Sequence, residues 1–105
     1  MKRHSYIIKL KSGYADEYKR RHDEIWPELD RIITKQGIRN YSIWYYNDLL
    51  FSYYETPDGG PLSIDDPEEI AVSEKWDKYM SDIIEFVKDP ETGEPLPLRC
   101  MFLHE

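Results

Sequence analysis

The amino-acid sequence predicts an α+β fold, because short segments typical of strands alternate with two longer segments typical of helices. The predicted strands carry apolar side chains at every second position, and the predicted helices carry them at every third or fourth position. The order along the chain is strand, helix, strand, strand, helix, strand. With 105 residues and no internal repeat or linker, residues 1–105 are expected to form one domain.

The first strand is predicted over residues 3–11, and the first helix follows directly. Ser12 is the expected N-cap of this helix, since its hydroxyl can accept a hydrogen bond from a free backbone N–H. The helix is expected to run to about Gln36 and to end at Gly37, because glycine most easily adopts the left-handed conformation that closes helices.

Pro27 lies within this predicted helix. Proline lacks a backbone donor and disfavours helical angles at the preceding residue, here Trp26. We therefore expect either a bend near residues 23–26 or the start of a second helical segment at Pro27.

Two more strands are predicted over residues 38–46 and 49–56, which are rich in aromatic and β-branched side chains. Asn47 and Asp48 between them are typical of a tight hairpin turn. Strict alternation places four side chains on a common face: Arg39, Tyr41, Ile43 and Tyr45. The opposite face is also partly apolar, which predicts that a second subunit covers it.

Residues 57–65 are predicted to form a loop, and Asp66 and Pro67 mark the start of the second helix. This helix is expected to bury a wide stripe formed by Val72, Trp76, Tyr79, Met80, Ile83, Ile84 and Val87. After a turn over residues 89–95, residues 96–104 are predicted to form the last strand. Right-handed connections in this order give a ferredoxin-like βαββαβ sandwich, an antiparallel sheet with two helices on one face.

The charge and the apolar pattern argue against several classes of function. A formal net charge of −7 disfavours binding to nucleic acid or to an anionic membrane, because both require an excess of lysine and arginine. A neutral or cationic small molecule is the expected ligand. No segment has the pattern of a secretion signal or a transmembrane helix, so the cytosol is the expected compartment.

Motifs for cofactors and metals are not found in the sequence. It contains no glycine-rich phosphate loop, no His-Glu metal motif and no nucleophile elbow, so neither a cofactor nor a metal is expected. Cys100 is the single cysteine, which rules out an internal disulfide and a thiolate cluster. It is expected to be a small buried strand residue.

Tyr18, His22 and Trp26 recur at every fourth position and so share one face of the first helix. An imidazole on this inward face has two interpretations. A buried histidine is often only a core residue whose hydrogen bonds are satisfied. Histidine is also the side chain that gives and takes protons near neutral pH, and here two rings with polar tips flank it.

Several short motifs follow one another along the chain: Tyr18-x-x-x-His22, Ile25-Trp26-Pro27-Glu28-Leu29, Gly37, Asn40-Tyr41-x-Ile43, Leu49-Leu50-Phe51 and Trp76-x-Lys78-Tyr79-Met80. With these motifs the chain resembles the L-rhamnose mutarotase family from the first strand to about Asp82. Each motif alone is unspecific, but the combination is specific. The family fold that it implies is a dimeric α/β barrel of ferredoxin-like subunits, which agrees with the element order above.

The resemblance implies a cofactor-free, homodimeric enzyme that interconverts the α and β anomers of an L-sugar pyranose. L-rhamnose is the first expectation, and another 6-deoxy sugar such as L-fucose is the second. The acid/base histidine of the family falls on His22, with Tyr18 as its partner in proton transfer or orientation. The sugar-contacting positions fall on Tyr18, Tyr41 and Trp76.

Two positions depart from the family pattern. The family commonly has a second tryptophan directly after the position of Trp76, where this chain has Asp77. It also tends to carry a tryptophan on a short helix where this chain has residues 57–66. A carboxylate can accept hydrogen bonds from sugar hydroxyls, so Asp77 is included among the substrate-binding residues and is expected to alter the choice of sugar. The alternative is an Asp77 that faces solvent.

Two other classes of function stay open from the sequence. One is a cofactor-free oxygenase of the related dimeric barrels, acting on a flat aromatic substrate. The other is a non-catalytic ligand-binding or dimerisation module in which His22 is structural. Several tyrosines around His22 favour a polyhydroxylated ligand over a flat aromatic one.

Overall fold

The computed structural model describes residues 1–85, 89, 91–93 and 96–105, and it shows an antiparallel sheet packed against helices. Within these residues the elements are β1 (Lys2–Leu10), α1 (Ala15–Asp23), α2 (Pro27–Lys35), β2 (Arg39–Tyr46), β3 (Leu49–Thr56), α3 (Pro67–Met80), β4 (Ile84–Glu85) and β5 (Leu96–Pro97). The strand order is β2-β3-β1-β4, and β5 also pairs with β1. The predicted α+β, ferredoxin-like fold is confirmed, with its first helix divided in two.

The division of the first helix follows from Pro27. The helix α1 ends at Asp23, and Trp26 is an extended residue with φ −61° and ψ 132°. Pro27 then occupies the first turn of α2, where its missing N–H removes no helical hydrogen bond. Of the two outcomes expected at this proline, the structure has the second helical segment. Gly37, with φ +79°, follows the end of α2 as predicted.

The start of α1 differs from the prediction. Its N-cap is Tyr14, and no side chain caps the helix, so the assignment of Ser12 as N-cap is wrong. Gly13 has φ +87° and turns the chain after Ser12, which delays the helical angles by two residues.

The β2–β3 hairpin has the predicted turn, in which Asn47 and Asp48 have φ +49° and +66°. Beyond β3, residues 57–66 contain no helix or strand. This loop contacts the end of α2, since the N–H of Leu62 donates to the carbonyl of Gln36 at 2.9 Å.

A β-bulge interrupts the pairing of β2 with β3. The register on its two sides is given by the pairs Arg39–Glu55 and Ser42–Tyr53. Asn40 and Tyr41 therefore both lie opposite Tyr54, which is the pattern of a bulge. Because the extra residue reverses the alternation, Arg39 lies on the face opposite to Tyr41. The prediction that Arg39 shares a face with Tyr41 is wrong for this reason.

The helix α3 begins as predicted but ends early. The side chain of Asp66 caps it by accepting from the N–H of Glu68 at 2.9 Å. It ends at Met80, whereas the apolar stripe predicted a continuation; Ile83 and Ile84 lie beyond it, and Val87 lies outside the described residues.

Arg21 of α1 explains this early end. It donates to the carbonyl of Tyr79 at 2.7 Å and to the carboxylate of Asp82 at 2.8 Å. A carbonyl in the last turn of α3 is thus bonded by a side chain instead of by the N–H of a further turn. The chain then leaves the helix, and Ile84 pairs with Leu10 of β1.

The last strand is much shorter than predicted. Residues 96–97 form β5, the N–H of Leu98 still donates to the carbonyl of Ser5 at 2.7 Å, and residues 98–104 form no helix or strand. Apolar side chains of this tail are uncovered, and Phe102 is 82% exposed. Cys100 is exposed as well, so the prediction that it is buried is wrong. The predicted turn over residues 89–95 lies partly outside the described residues.

The core lies between the sheet and the helices. Leu10 of β1 and Leu50 of β3 pack with Met80 and Ile83, and Tyr18 of α1 joins this buried cluster. Because Tyr18 packs in this cluster beside Met80, α1 and α3 lie over the same part of the sheet. None of the described helices is long and apolar enough to cross a membrane.

Candidate active site

A cavity of about 760 Å³ lies where the three helices meet β2 and β3. All five predicted site residues line this cavity, which is called the site cavity below: Tyr18, His22, Tyr41, Trp76 and Asp77. Its volume lies in the range of pockets that bind small organic molecules. The structure therefore brings together side chains from α1, β2 and α3 that the sequence places far apart.

Tyr18 and His22 form a stacked pair on α1. Their ring centroids are 4.2 Å apart with an interplanar angle of 23°. The Nδ1 atom of His22 is 3.2 Å from the carbonyl oxygen of Tyr18. Because a carbonyl oxygen only accepts, Nδ1 carries the proton and donates it to this bond. The Nε2 atom of the neutral imidazole then has the free lone pair and can act as a base.

Trp76 of α3 closes the other side of His22. The two rings are 5.4 Å apart and nearly perpendicular, at 83°. Behind Trp76, Trp26 makes a second perpendicular contact at 5.1 Å, and Trp26 also stacks on Tyr79 at 5.6 Å. Trp26 lies in the break between α1 and α2, so it does not continue the helical face of Tyr18 and His22 as predicted. It packs behind Trp76 instead and supports that ring.

Burial lowers the pKa of His22 below its ordinary value of 6.5. The cationic imidazolium loses more hydration than the neutral ring when aromatic side chains surround it. The Tyr18 carbonyl and the charge of Asp23 act in the opposite direction but do not cancel this effect. His22 is therefore neutral at pH 7 and able to accept a proton.

The two phenol groups in the cavity stay protonated. Burial raises the pKa of Tyr18, and the proximity of Tyr41 raises it further. Tyr41 has 46% of its surface exposed, yet burial also raises the pKa of its hydroxyl. Both phenols can therefore donate hydrogen bonds to a ligand.

Asp77 lies on the exposed border of the site cavity, next to Trp76 in sequence. Partial burial, and to a lesser degree the charge of Glu74, raise the pKa of its carboxyl. The second departure from the family pattern also has a structural counterpart, since residues 57–66 form no helix. Asp77 therefore borders both the site cavity and solvent.

Several lining residues were not singled out from the sequence. Alternation along β2 had placed Tyr45 on the same face as Tyr41, so a signal for Tyr45 existed. The acidic residues Asp16, Asp23 and Asp30 gave none, because charged side chains on a helix usually face solvent. Within the described part of the chain, no group of three His, Cys, Asp or Glu side chains is arranged to hold a metal ion.

Comparisons with known proteins agree over the whole length of the chain. The sequence profile of the L-rhamnose mutarotase family matches residues 3–104. An L-rhamnose mutarotase from Bacteroides thetaiotaomicron is 38% identical over 101 residues, covering 92% of this chain and 94% of the relative. One from Phocaeicola vulgatus is 37% identical, with 97% of each chain covered. The crystal structure of an L-rhamnose mutarotase from Formosa agariphila covers 100% of both chains, with a TM-score of 0.79 and 29% identity.

These matches place the protein among the isomerases that act on carbohydrates. The similarity of the fold over the full chain supports the same class. The chain belongs to the L-rhamnose mutarotase family.

We expect the pKa of His22 in the folded protein to lie below 6.5. The substitution Trp76→Ala should move it back toward its ordinary value, because water then reaches the imidazole.

The lowered pKa of His22 also affects stability. As pH falls, the unfolded chain binds a proton at His22 before the folded protein does. His22 therefore reduces the stability as pH falls from 6.5 through the folded pKa, and adds no pH dependence above 6.5.

An NMR titration of the isotope-labelled imidazole measures this value. Trp44→Ala is the matched control, since Trp44 is exposed on the other face of the sheet, and it should leave the His22 titration unchanged. A His22 pKa at or above 6.5 in the unsubstituted protein would contradict the assigned burial effect.

Proposed function

We propose that this protein interconverts the α and β anomers of L-rhamnose, with His22 as the general acid/base. The observation that carries the proposal is the environment of His22, which is neutral, stacked on Tyr18 and in edge contact with Trp76 in the site cavity. Membership of the L-rhamnose mutarotase family supports L-rhamnose as the sugar.

The reaction requires two proton transfers in each direction. A base removes the proton of the anomeric hydroxyl, the carbonyl forms at C1, the bond from C1 to the ring oxygen breaks, and an acid protonates that oxygen. Rotation about the bond between C1 and C2 followed by the reverse steps gives the other anomer. The neutral Nε2 of His22 is suited to the first transfer, and a protonated phenol is suited to the second. Tyr18 is proposed as this donor or as the group that orients the sugar.

Trp76 and Tyr41 are proposed to hold the sugar. An indole offers a flat apolar surface to the C–H face of a pyranose, and the phenol of Tyr41 can donate to a sugar hydroxyl. Trp76 on α3 and Tyr41 on β2 line the same cavity as the Tyr18–His22 pair. Neutral hydrogen-bonding groups of this kind suit a neutral polyhydroxylated ligand better than the flat aromatic substrate of an oxygenase.

We also propose that the protein is a homodimer in the cytosol. The outer face of β2 exposes Trp44 and Tyr46, and the C-terminal tail exposes Phe102. Large apolar side chains left exposed to water favour burial against a second copy of the chain. The exposed free thiol of Cys100 suits a reducing compartment.

The substitution His22→Ala should abolish enzyme-dependent exchange between the two anomeric proton signals of L-rhamnose in a saturation-transfer NMR experiment. Loss of a general acid/base lowers the rate by about 10²–10⁴-fold. His104→Ala is the matched control, because His104 lies in the exposed tail, and this variant should exchange the anomers at the original rate. Exchange that survives in a folded His22→Ala protein would show that His22 is structural.

Asp77 is proposed to bias the choice between L-rhamnose and another 6-deoxy sugar such as L-fucose. The two sugars differ in the orientation of ring hydroxyls, and a carboxylate at the cavity border accepts hydrogen bonds from one arrangement better than from the other.

For Asp77→Ala we expect the ratio of exchange rates on L-rhamnose and L-fucose to change by about tenfold, which corresponds to the loss of one good hydrogen bond. Glu68→Ala, in the exposed first turn of α3 and outside the cavity lining, should leave the ratio unchanged. Equal effects of Asp77→Ala on both sugars would mean that Asp77 has no part in their discrimination.

A further inference from the structure

The β-bulge at the start of β2 determines which face of the sheet carries Tyr41. Arg39 lies on the outer face, so uninterrupted alternation would put Tyr41 on the outer face as well. The extra residue, Asn40, has φ +52° and shifts Tyr41 to the inner face, where it lines the site cavity. Bulges next to binding sites commonly redirect a side chain in this way.

On the outer face, one carboxylate holds the bulge. Glu55 accepts a hydrogen bond from Nδ2 of Asn40 at 2.8 Å and another from the hydroxyl of Tyr53 at 2.6 Å. These two bonds lower the pKa of Glu55, so it stays ionised. The bonds connect the unusual residue Asn40 to the strand that carries Tyr54.

On the inner face, Tyr54 is the neighbour of Tyr41. The two ring centroids are 5.2 Å apart, and the rings are tilted by 40°. Tyr54 also stacks on His4, at 4.7 Å and 16°. Nε2 of His4 bonds to the hydroxyl of the fully buried Thr56 at 2.8 Å. The Tyr54 ring is therefore fixed from behind and presents a rigid surface to Tyr41.

We propose that Tyr54 is a positioning residue, which sets the orientation of Tyr41 toward the sugar while lying outside the lining of the site cavity. The inference rests on the proposed sugar-binding role of Tyr41. Burial, with a smaller effect of Tyr6 and Tyr41, raises the pKa of Tyr54 to about 12, so the ring is neutral and its contact with Tyr41 does not change with pH near neutrality. The sensitive quantity is the binding of sugar, not the proton transfer at His22.

The test measures KM and kcat for mutarotation of crystalline α-L-rhamnose by polarimetry. Tyr54→Leu removes the ring but keeps apolar volume, and it should raise KM about tenfold with kcat changed by less than about twofold, the pattern of lost ground-state binding. Tyr54→Phe keeps the ring contact and should restore KM to near its original value. Phe51→Leu is the matched control, because Phe51 lies on the same strand and faces the other side of the sheet.

The double variant separates positioning from general destabilisation. If Tyr54 acts through Tyr41, Tyr54→Leu should raise KM no further when Tyr41→Ala is already present. Asn40→Gly provides a second variant with little risk to folding, since glycine accepts the positive φ while the bond to Glu55 is lost. It should also raise KM alone and add nothing to Tyr41→Ala.

Additive effects of Tyr54→Leu and Tyr41→Ala on KM would overturn the inference, as would a fall in kcat at constant KM. An equal change of KM in Phe51→Leu would assign the effect to lost stability and overturn it too. If the unsubstituted protein exchanges no anomers, the proposed function fails and this inference fails with it. If the unsubstituted protein is active and the effects of the two substitutions on KM add, only the positioning role of Tyr54 is contradicted.

Discussion

The attachment of α1 to α3 by Arg21 is the contact on which the site depends. The Arg21 side chain is 9% exposed, bonds to the Tyr79 carbonyl and to Asp82, and lies over the Tyr79 ring at 4.3 Å. Hydrogen bonds to a charged group are among the stronger polar contacts in proteins. Because His22 follows Arg21 directly, the same attachment places its imidazole against Trp76, one turn before Tyr79 on α3.

The aromatic surroundings of His22 have two consequences that act together. They exclude water, which lowers the pKa of the imidazole and leaves its Nε2 unprotonated. Burial also raises the pKa values of Tyr18 and Tyr41, so the phenols remain hydrogen-bond donors. The site cavity is thus lined by an uncharged base, His22, and by uncharged hydrogen-bond donors, Tyr18 and Tyr41. This division of roles is what anomer interconversion requires of a protein that works near neutral pH.

Most of the fold and the centre of the site are predictable from the sequence, because they follow from periodicity. The helical period identifies Tyr18 and His22 as neighbours on one face, and the resemblance to known mutarotases adds Tyr41 and Trp76. The contributions that escaped prediction come from tertiary contacts. The early end of α3 depends on Arg21, which lies 58 residues before Tyr79 in the sequence.

The bulge shows the same limitation on a smaller scale. A single residue with positive φ, Asn40, reverses the alternation of β2, and no local pattern distinguishes it from an ordinary strand residue. The C-terminal tail is a second example. Its apolar residues match the pattern of a strand, but in the structure they are exposed and form no strand. Propensity specifies the elements, and contacts distant in sequence decide where they end and which side chains they present.

A crystal structure of the His22→Asn variant with L-rhamnose bound tests the proposed acid/base role of His22. We expect a pyranose in the site cavity, with its anomeric and ring oxygens within hydrogen-bond distance of residue 22, its C–H face on Trp76 and a hydroxyl at Tyr41. A sugar bound with its anomeric carbon turned away from residue 22, or a site cavity without sugar at saturating concentration, would contradict it.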